Sequence, residues 1–340
     1  MKAILAEKPF DVSVVDVPEP TAAPGWVLLK VRAVGICGTD VYAYKGLHPF
    51  LTYPRVLGHE LSGEIAEIAP ADADASGLAA GDPVAVEPYF HCGQCHMCQA
   101  GRSNACLSLE VLGVHCEGGM CERLAVPVGK VFKPPEPLAD DLLALVEPIS
   151  IGANAVRRAS VASGESVAVI GAGPIGISAM LMARLAGARV AVIDLETTRL
   201  ARAAEMGAAL TIQPEQTDPA EALRDFADGL GPHVILEAVG LPVTIRQSIE
   251  WVRAGGRVAI LGQSNKPLDF SYGPMMKKEL DVLASRNSVG QFPRILQAMV
   301  DGELTPSKMI SHRISLDDVP ATLADMHEHP SAYCKAVVCM

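Results

Sequence analysis

No apolar run in the 340-residue sequence approaches the roughly 18 residues that a membrane-spanning helix requires. Positive charge is also short. The chain carries 28 Lys and Arg against 39 Asp and Glu, a formal net charge of −11. That balance argues against nonspecific binding to nucleic acid or to anionic lipid. It leaves an anionic small molecule open as a substrate, because a site can be locally positive. Internal repeats and low-complexity tracts are missing as well. The segment Met1–Glu7 meets a charge, and then Pro9, too early for a secretion signal. What is present is length for two domains and nine cysteines, four of them in one short cluster. Without a secretion signal, such clustering favours metal binding over disulfides, and a cytoplasmic location fits.

The stretch Gly35–Glu60 reads G-I-C-G-T-D, then G-H-E after seventeen intervening residues. Cys37 offers a soft thiolate, His59 an imidazole and Glu60 a carboxylate, the ligand types of a catalytic zinc. Thr39, two residues past the thiolate, brings a hydroxyl near the same place. Taken singly, a Cys or a His is more often a packing residue. The downstream signals shift that balance. Cys92, Cys95, Cys98 and Cys106 follow C-x2-C-x2-C-x7-C. Four thiolates fill a tetrahedral zinc shell and leave no open position, as a structural site requires. An iron–sulfur cluster is the weaker alternative for the same thiolates. A nucleic-acid-binding zinc ribbon is weaker still, since the segment has no basic face. His91 and His96 read as surface residues. Cys116, Cys121, Cys334 and Cys339 lack ligand spacing. For His115, in L-G-V-H, a substrate-facing role and an ordinary loop role stand level. Glu147, before Pro148, reads locally as a helix-associated surface acid with a metal role as the alternative.

Short apolar runs separated by Pro- and Gly-rich turns predict strands within residues 1–33 and at 61–68 and 84–86, with the Ala- and Asp-rich residues 70–81 as a surface loop, so the region to about residue 147 reads as an irregular all-β domain with long functional loops. The pattern changes in the second half. Ser166–Ile170 predicts a strand that runs into Gly171-Ala172-Gly173-Pro174-Ile175-Gly176, then an Ala/Leu/Met-rich helix to Leu185, then a strand Arg189–Ile193 ending at Asp194. A G-x-G-x-x-G in that setting, with an acid eighteen residues beyond its last glycine, is a dinucleotide-binding fingerprint. The glycines let backbone approach a pyrophosphate at the helix N-terminus. Asp194 can accept from the ribose hydroxyls and would repel a 2′-phosphate, so NAD is favoured over NADP, although Arg199 nearby tempers this. Further apolar strands end near Val239, Gly262 and Gln263, which are therefore candidate cofactor contacts, because ligands sit beyond the carboxyl ends of parallel strands. Arg286, beyond Leu283, is a candidate clamp for a substrate carboxylate or a cofactor phosphate.

Together, G-I-C-G-T-D at 35–40, Y-P-R-V-L-G-H-E at 53–60, the four-cysteine lobe and G-A-G-P-I-G at 171–176 resemble the zinc-containing medium-chain dehydrogenase/reductases. The likeness extends over essentially the whole chain. Glu147-Pro148 is similar to the polyol dehydrogenase branch, in which Glu replaces the third Cys ligand of the alcohol dehydrogenases. Members differ on whether the Glu after the His or the later Glu touches zinc, so both Glu60 and Glu147 are implied. The segments 48–60, 112–115, 155–159 and 285–287 look similar to bacterial hexonate 5-dehydrogenases acting on L-galactonate or L-gulonate. Where the family often reads C-G-T-D-x-H, this chain has Tyr42, so a proton relay through that His does not carry over.

The resemblance implies an α/β fold: a doubly wound Rossmann sheet inserted in a GroES-like β-barrel catalytic domain, with the active site in the cleft between them. The expected boundaries are 1–149, with a zinc lobe at 90–108, then 150–284 for the NAD domain and 285–340 for the return. It also implies oxidation of a secondary alcohol with NAD and a homodimer or homotetramer. Sorbitol, xylitol and L-threonine stand as alternative substrates, and a non-catalytic NAD-sensing regulator as an alternative of another class.

Overall fold

A computed structural model describes every residue except Phe270. Two compact units emerge: Met1–Glu147 joined by Phe292–Met340, and Pro148–Gln291. The chain leaves the second unit after Gln291 rather than near 285. Side chains of the helix Val146–Arg158 hold that segment: Ser150 Oγ donates to Ser288 Oγ (2.8 Å), and Asn154 Nδ2 donates to Ser285 Oγ and to the Arg286 carbonyl (both 3.2 Å).

The first unit is built on an eleven-residue strand, Trp26–Ile36, whose burial pattern is almost unbroken. Antiparallel neighbours flank it: Glu60–Ile68, Arg123–Pro127 and the C-terminal strand Lys335–Cys339. Pro83–Val86 and Val131–Phe132 extend one side and Ile310–Ile314 the other. Val27, Leu29, Val31, Val34, Leu61, Ile65 and Val338 interlock in one apolar core. Residues 70–81 depart from the loop reading, because Pro70–Ser76 is a helix. Pro70 at its first position and Gly77 in the left-handed conformation (φ 70°) are the terminal signals that the loop reading passed over.

The second unit is a six-stranded parallel sheet in the order Leu210–Ile212, Arg189–Ile193, Ser166–Ile170, Val234–Glu237, Arg257–Ile260, Asp281–Ala284. Every residue of Ser166–Ile170 and Val234–Glu237 is buried, as expected of strands covered on both faces. The helix Pro174–Leu185 is buried from Gly176 to Ala183. The sequence order of the strands reverses at Ser166–Ile170, between Arg189–Ile193 and Val234–Glu237, the doubly wound arrangement in which ligands bind outside the carboxyl ends. Among the described residues, no helix is long and apolar enough to cross a membrane.

Candidate metal centre and nucleotide loop

Strand Trp26–Ile36 ends at Cys37, which caps the short helix Gly38–Tyr44. The Asp40 carboxylate, 1% exposed, accepts from Cys37 N (2.8 Å) and from Gly58 N (3.2 Å). One acid thereby fastens the thiolate's turn to the turn that carries His59. Glu60 opens the next strand and lies opposite Gly35 in register. Glycine there leaves room for the Glu60 carboxylate, because a Cβ on Gly35 would collide with Glu60 Oε2. As a result, one ligand atom each from Cys37, His59 and Glu60 falls within 4.8 Å of the others. The Thr39 hydroxyl lies 3.7 Å from Cys37 Sγ.

His59 and Glu60 are buried, and two of their atoms, His59 Nδ1 and Glu60 Oε2, have no hydrogen-bond partner. Burial disfavours a charged imidazole at His59. The Cys37 thiolate beside it, with Asp40 and Glu147, outweighs that and carries its pKa up to about 10. The surroundings therefore favour positive charge at this point. Orphaned buried polar atoms are costly, and a cation between them would satisfy both. A thiolate, an imidazole and a carboxylate are a zinc donor set, so these residues fit the metal.

Glu147 lies in the first turn of helix Val146–Arg158, 4% exposed, and is outside the three-residue cluster. It is not the surface acid of its local reading. Tyr89, itself buried, donates its hydroxyl to Glu147 Oε1. Burial pushes the Glu147 carboxyl up to about 7, with His59 opposing and Glu60 adding to the rise. Tyr89 gave no signal in the sequence, and neither did Lys335. Lys335 is 1% exposed, and its Nζ donates to Glu60 Oε1 (2.6 Å) and to the Ile36 carbonyl (3.2 Å). Burial opposes its charge, but Glu60, Cys37 and Glu147 hold its pKa above the ordinary lysine value.

The four clustered cysteines also converge. Sγ–Sγ separations are 3.5 Å for Cys95–Cys98 and Cys92–Cys106 and 3.9 Å for Cys95–Cys106. Zn–S bonds of about 2.3 Å place tetrahedral sulfurs about 3.8 Å apart. Backbone N–H groups, of Gln94 and Cys95 toward Cys92 and of Leu107 and Cys98 toward Cys95, lower both thiol pKa values. The thiolates fit a closed zinc shell. Neither His91 nor His96 joins it. None of the nine cysteines is in a disulfide, and Cys116, Cys121, Cys334 and Cys339 belong to neither group. His115 Nδ1 accepts from Val111 N (3.1 Å), and its ring stacks near Phe50.

In the second unit each glycine of the loop has its own reason. Gly171 has φ +96°, Gly173 has open space where a side chain would stand, and a Cβ on Gly176 would strike the Gly171 carbonyl. Pro174 and Ile175 form the first turn of the helix. Asp194 ends the second strand, accepting from Ala172 N (2.7 Å) and Glu196 N (2.9 Å), with Arg199 3.8 Å away. Val239 follows the strand Val234–Glu237, and Gly262 and Gln263 follow Arg257–Ile260. There Gly240 (φ +82°) and Gly262 meet backbone to backbone. A buried acid that sequence reading passed over, Glu237, shapes this loop by accepting from Val239 N (3.0 Å), Gly240 N (2.9 Å) and Thr244 Oγ1 (2.7 Å). Arg286 is exposed just past the last strand.

Two family models match: the alcohol dehydrogenase GroES-like domain over residues 23–136 and the zinc-binding dehydrogenase over residues 174–301. L-galactonate-5-dehydrogenase of Escherichia coli K12 is 36% identical over 96% of this chain and 94% of its own. The rspB alcohol dehydrogenase of Escherichia coli CFT073, solved with NADH, superposes with a TM-score of 0.92 at 32% identity, over 100% of this chain and 99% of its own. A zinc-binding dehydrogenase of Sinorhizobium meliloti, solved with NADP, gives 0.91 at 33%, over the same shares. A parallel sheet with a glycine-rich turn, two convergent sets of metal-ligand side chains and likeness over nearly its whole length place the chain in the zinc-containing medium-chain dehydrogenase/reductase family, as a nicotinamide-linked alcohol or polyol dehydrogenase.

Proposed function

We propose that the chain oxidises the C5 hydroxyl of a hexonate, L-galactonate or L-gulonate, to a ketone with NAD as hydride acceptor. The observation that carries the chemistry is the cluster of half-buried Cys37 with buried His59 and Glu60, in which His59 Nδ1 and Glu60 Oε2 are unpartnered. In this reading Cys37, His59 and Glu60 hold the catalytic zinc, and Glu147, anchored by Tyr89, stands beside them. Zinc bound there acts as a Lewis acid that lowers the pKa of a substrate hydroxyl. Lys335 occupies Glu60 Oε1, so Oε2 is the oxygen that Glu60 offers. Thr39 takes up the proton from the substrate hydroxyl and releases it outward, since position 42 is an exposed Tyr and not a His. The second zinc belongs to Cys92, Cys95, Cys98 and Cys106.

Gly171, Gly173, Pro174, Ile175 and Gly176 receive the pyrophosphate, Asp194 with Arg199 the ribose, and Val239, Gly262 and Gln263 the far end of the dinucleotide. Arg286 binds the hexonate carboxylate. The domain roles follow: residues 1–147 and 292–340 catalyse, and residues 148–291 bind NAD. The protein works as a homodimer or homotetramer in the cytoplasm, a reducing compartment in keeping with cysteines that form no disulfide. The hexonate assignment draws on the 36% identity to L-galactonate-5-dehydrogenase.

The test is a panel of hexonates, hexitols, xylitol and L-threonine with NAD or NADP, following reduced nicotinamide. The highest kcat/KM is expected for a hexonate with NAD. A preference for sorbitol, xylitol or L-threonine would replace the substrate reading with that alternative, and failure to reduce either nucleotide would defeat the catalytic reading.

A further inference from the structure

A single exposed aromatic side chain is ordinary on a protein surface. Phe50, 64% exposed, is distinguished by what frames it. The His48 ring meets it edge-on (6.2 Å between centroids, 70°), and the His115 ring lies nearly parallel to it (6.2 Å, 21°). Both imidazoles are oriented by backbone. Phe50 N donates to His48 Nδ1 (3.3 Å) and Val111 N donates to His115 Nδ1 (3.1 Å), so each neutral ring carries its proton on Nε2.

The frame is tied to the metal cluster. A Cβ on Gly113 would lie 2.8 Å from Gly58 N, and Gly119 N donates to the Gly58 carbonyl (2.8 Å). The segment carrying His115 is therefore pressed against the residue before His59. Burial, and then the nearby His59 and His115, lower the pKa of His48. A phenyl face bordered by N–H donors matches a sugar chain, which presents C–H faces and hydroxyl edges.

We propose that Phe50, framed by His48 and His115, is the shelf on which the carbon chain of a polyhydroxylated substrate lies. These side chains then select six-carbon sugar acids and polyols over short alcohols. This rests on the assignment of the catalytic zinc to the neighbouring cluster.

The experiment compares the zinc-loaded enzyme with its Phe50→Ala and Phe50→Tyr variants on a hexonate, a hexitol and 2,3-butanediol. In Phe50→Ala the ratio of six-carbon to four-carbon kcat/KM should fall about tenfold, through KM, and Phe50→Tyr should restore it. An unchanged ratio, or a fall in kcat alone, would overturn the shelf. Saturation-transfer NMR with NADH bound separates this from failure of the substrate reading. If the wild type favours short alcohols, the hexonate reading falls. The shelf is then judged by transfer to hexitol C–H protons: loss in Phe50→Ala supports it, and undiminished or absent transfer overturns it.

Discussion

A Cβ added at Gly35 would meet Glu60 alone: above all its unpartnered Oε2, and less closely its Cβ and Cδ (3.2 and 3.3 Å). The neighbour is the end of a side chain, so the backbone can stay and the carboxylate must turn away. Gly35→Ala should therefore leave the fold intact and weaken only the Cys37–His59–Glu60 site. Metal analysis after dialysis should find zinc in the four-cysteine lobe retained and roughly half the total lost, with kcat falling at least tenfold. Undiminished zinc with full activity would show that Glu60 is not a ligand. The ligand types at this site were legible in the sequence, because thiolate, imidazole and carboxylate are written in the residue names. The need for glycine at 35 was not, since it arises from a strand register with Glu60, twenty-five residues away.

At the scale of elements, the lobe between the paired strands Tyr89–Phe90 and Glu110–Val111 holds only two short helical turns, His96–Gln99 and Ser103–Ala105. Of its residues 91–107, only Asn104 and Cys106 are buried. Such a segment has almost no core of its own, and metal–thiolate bonds must supply its stability. Stripping zinc with a strong chelator should open this segment first. Limited proteolysis with mass analysis should then show cleavage within 91–107 while the parallel sheet stays protected. Equal protection with and without chelator would refute a zinc-held lobe. The spacing of its cysteines marked the four thiols that converge here, while its helical turns left no mark in the spacing. The strands of the second unit were as plain, because burial on both faces writes a continuous apolar run. Pro70–Ser76 was not read as a helix, because its Ala and Asp residues carry no buried face.

At the scale of the molecule, the first unit is assembled from both ends of the chain. Ala336 pairs with Ile36 across the central sheet, and Lys335 reaches a carboxylate 275 residues earlier. Removing one partner of a buried ion pair typically costs about 3–5 kcal/mol, because the other charge stays buried and uncompensated. Lys335→Met should destabilise the zinc-free protein by about that much in urea unfolding, and adding Glu60→Gln should recover part of the loss. A change below about 1 kcal/mol would mean that the pair contributes little to holding the ends together.

Local patterns sufficed for the α/β class, the nucleotide turn, the cysteine lobe and the metal-ligand types. Each of these needs only residues near one another in the chain, and backbone periodicity or ligand spacing records them. Tertiary packing alone decided that Lys335 holds one oxygen of Glu60, that Tyr89 anchors Glu147, that Glu237 shapes the loop at Gly240, and that Phe50 stands between two imidazoles. Those relations join side chains brought together by strand register and long-range burial, and no local pattern encodes a partner that only the folded sheet supplies.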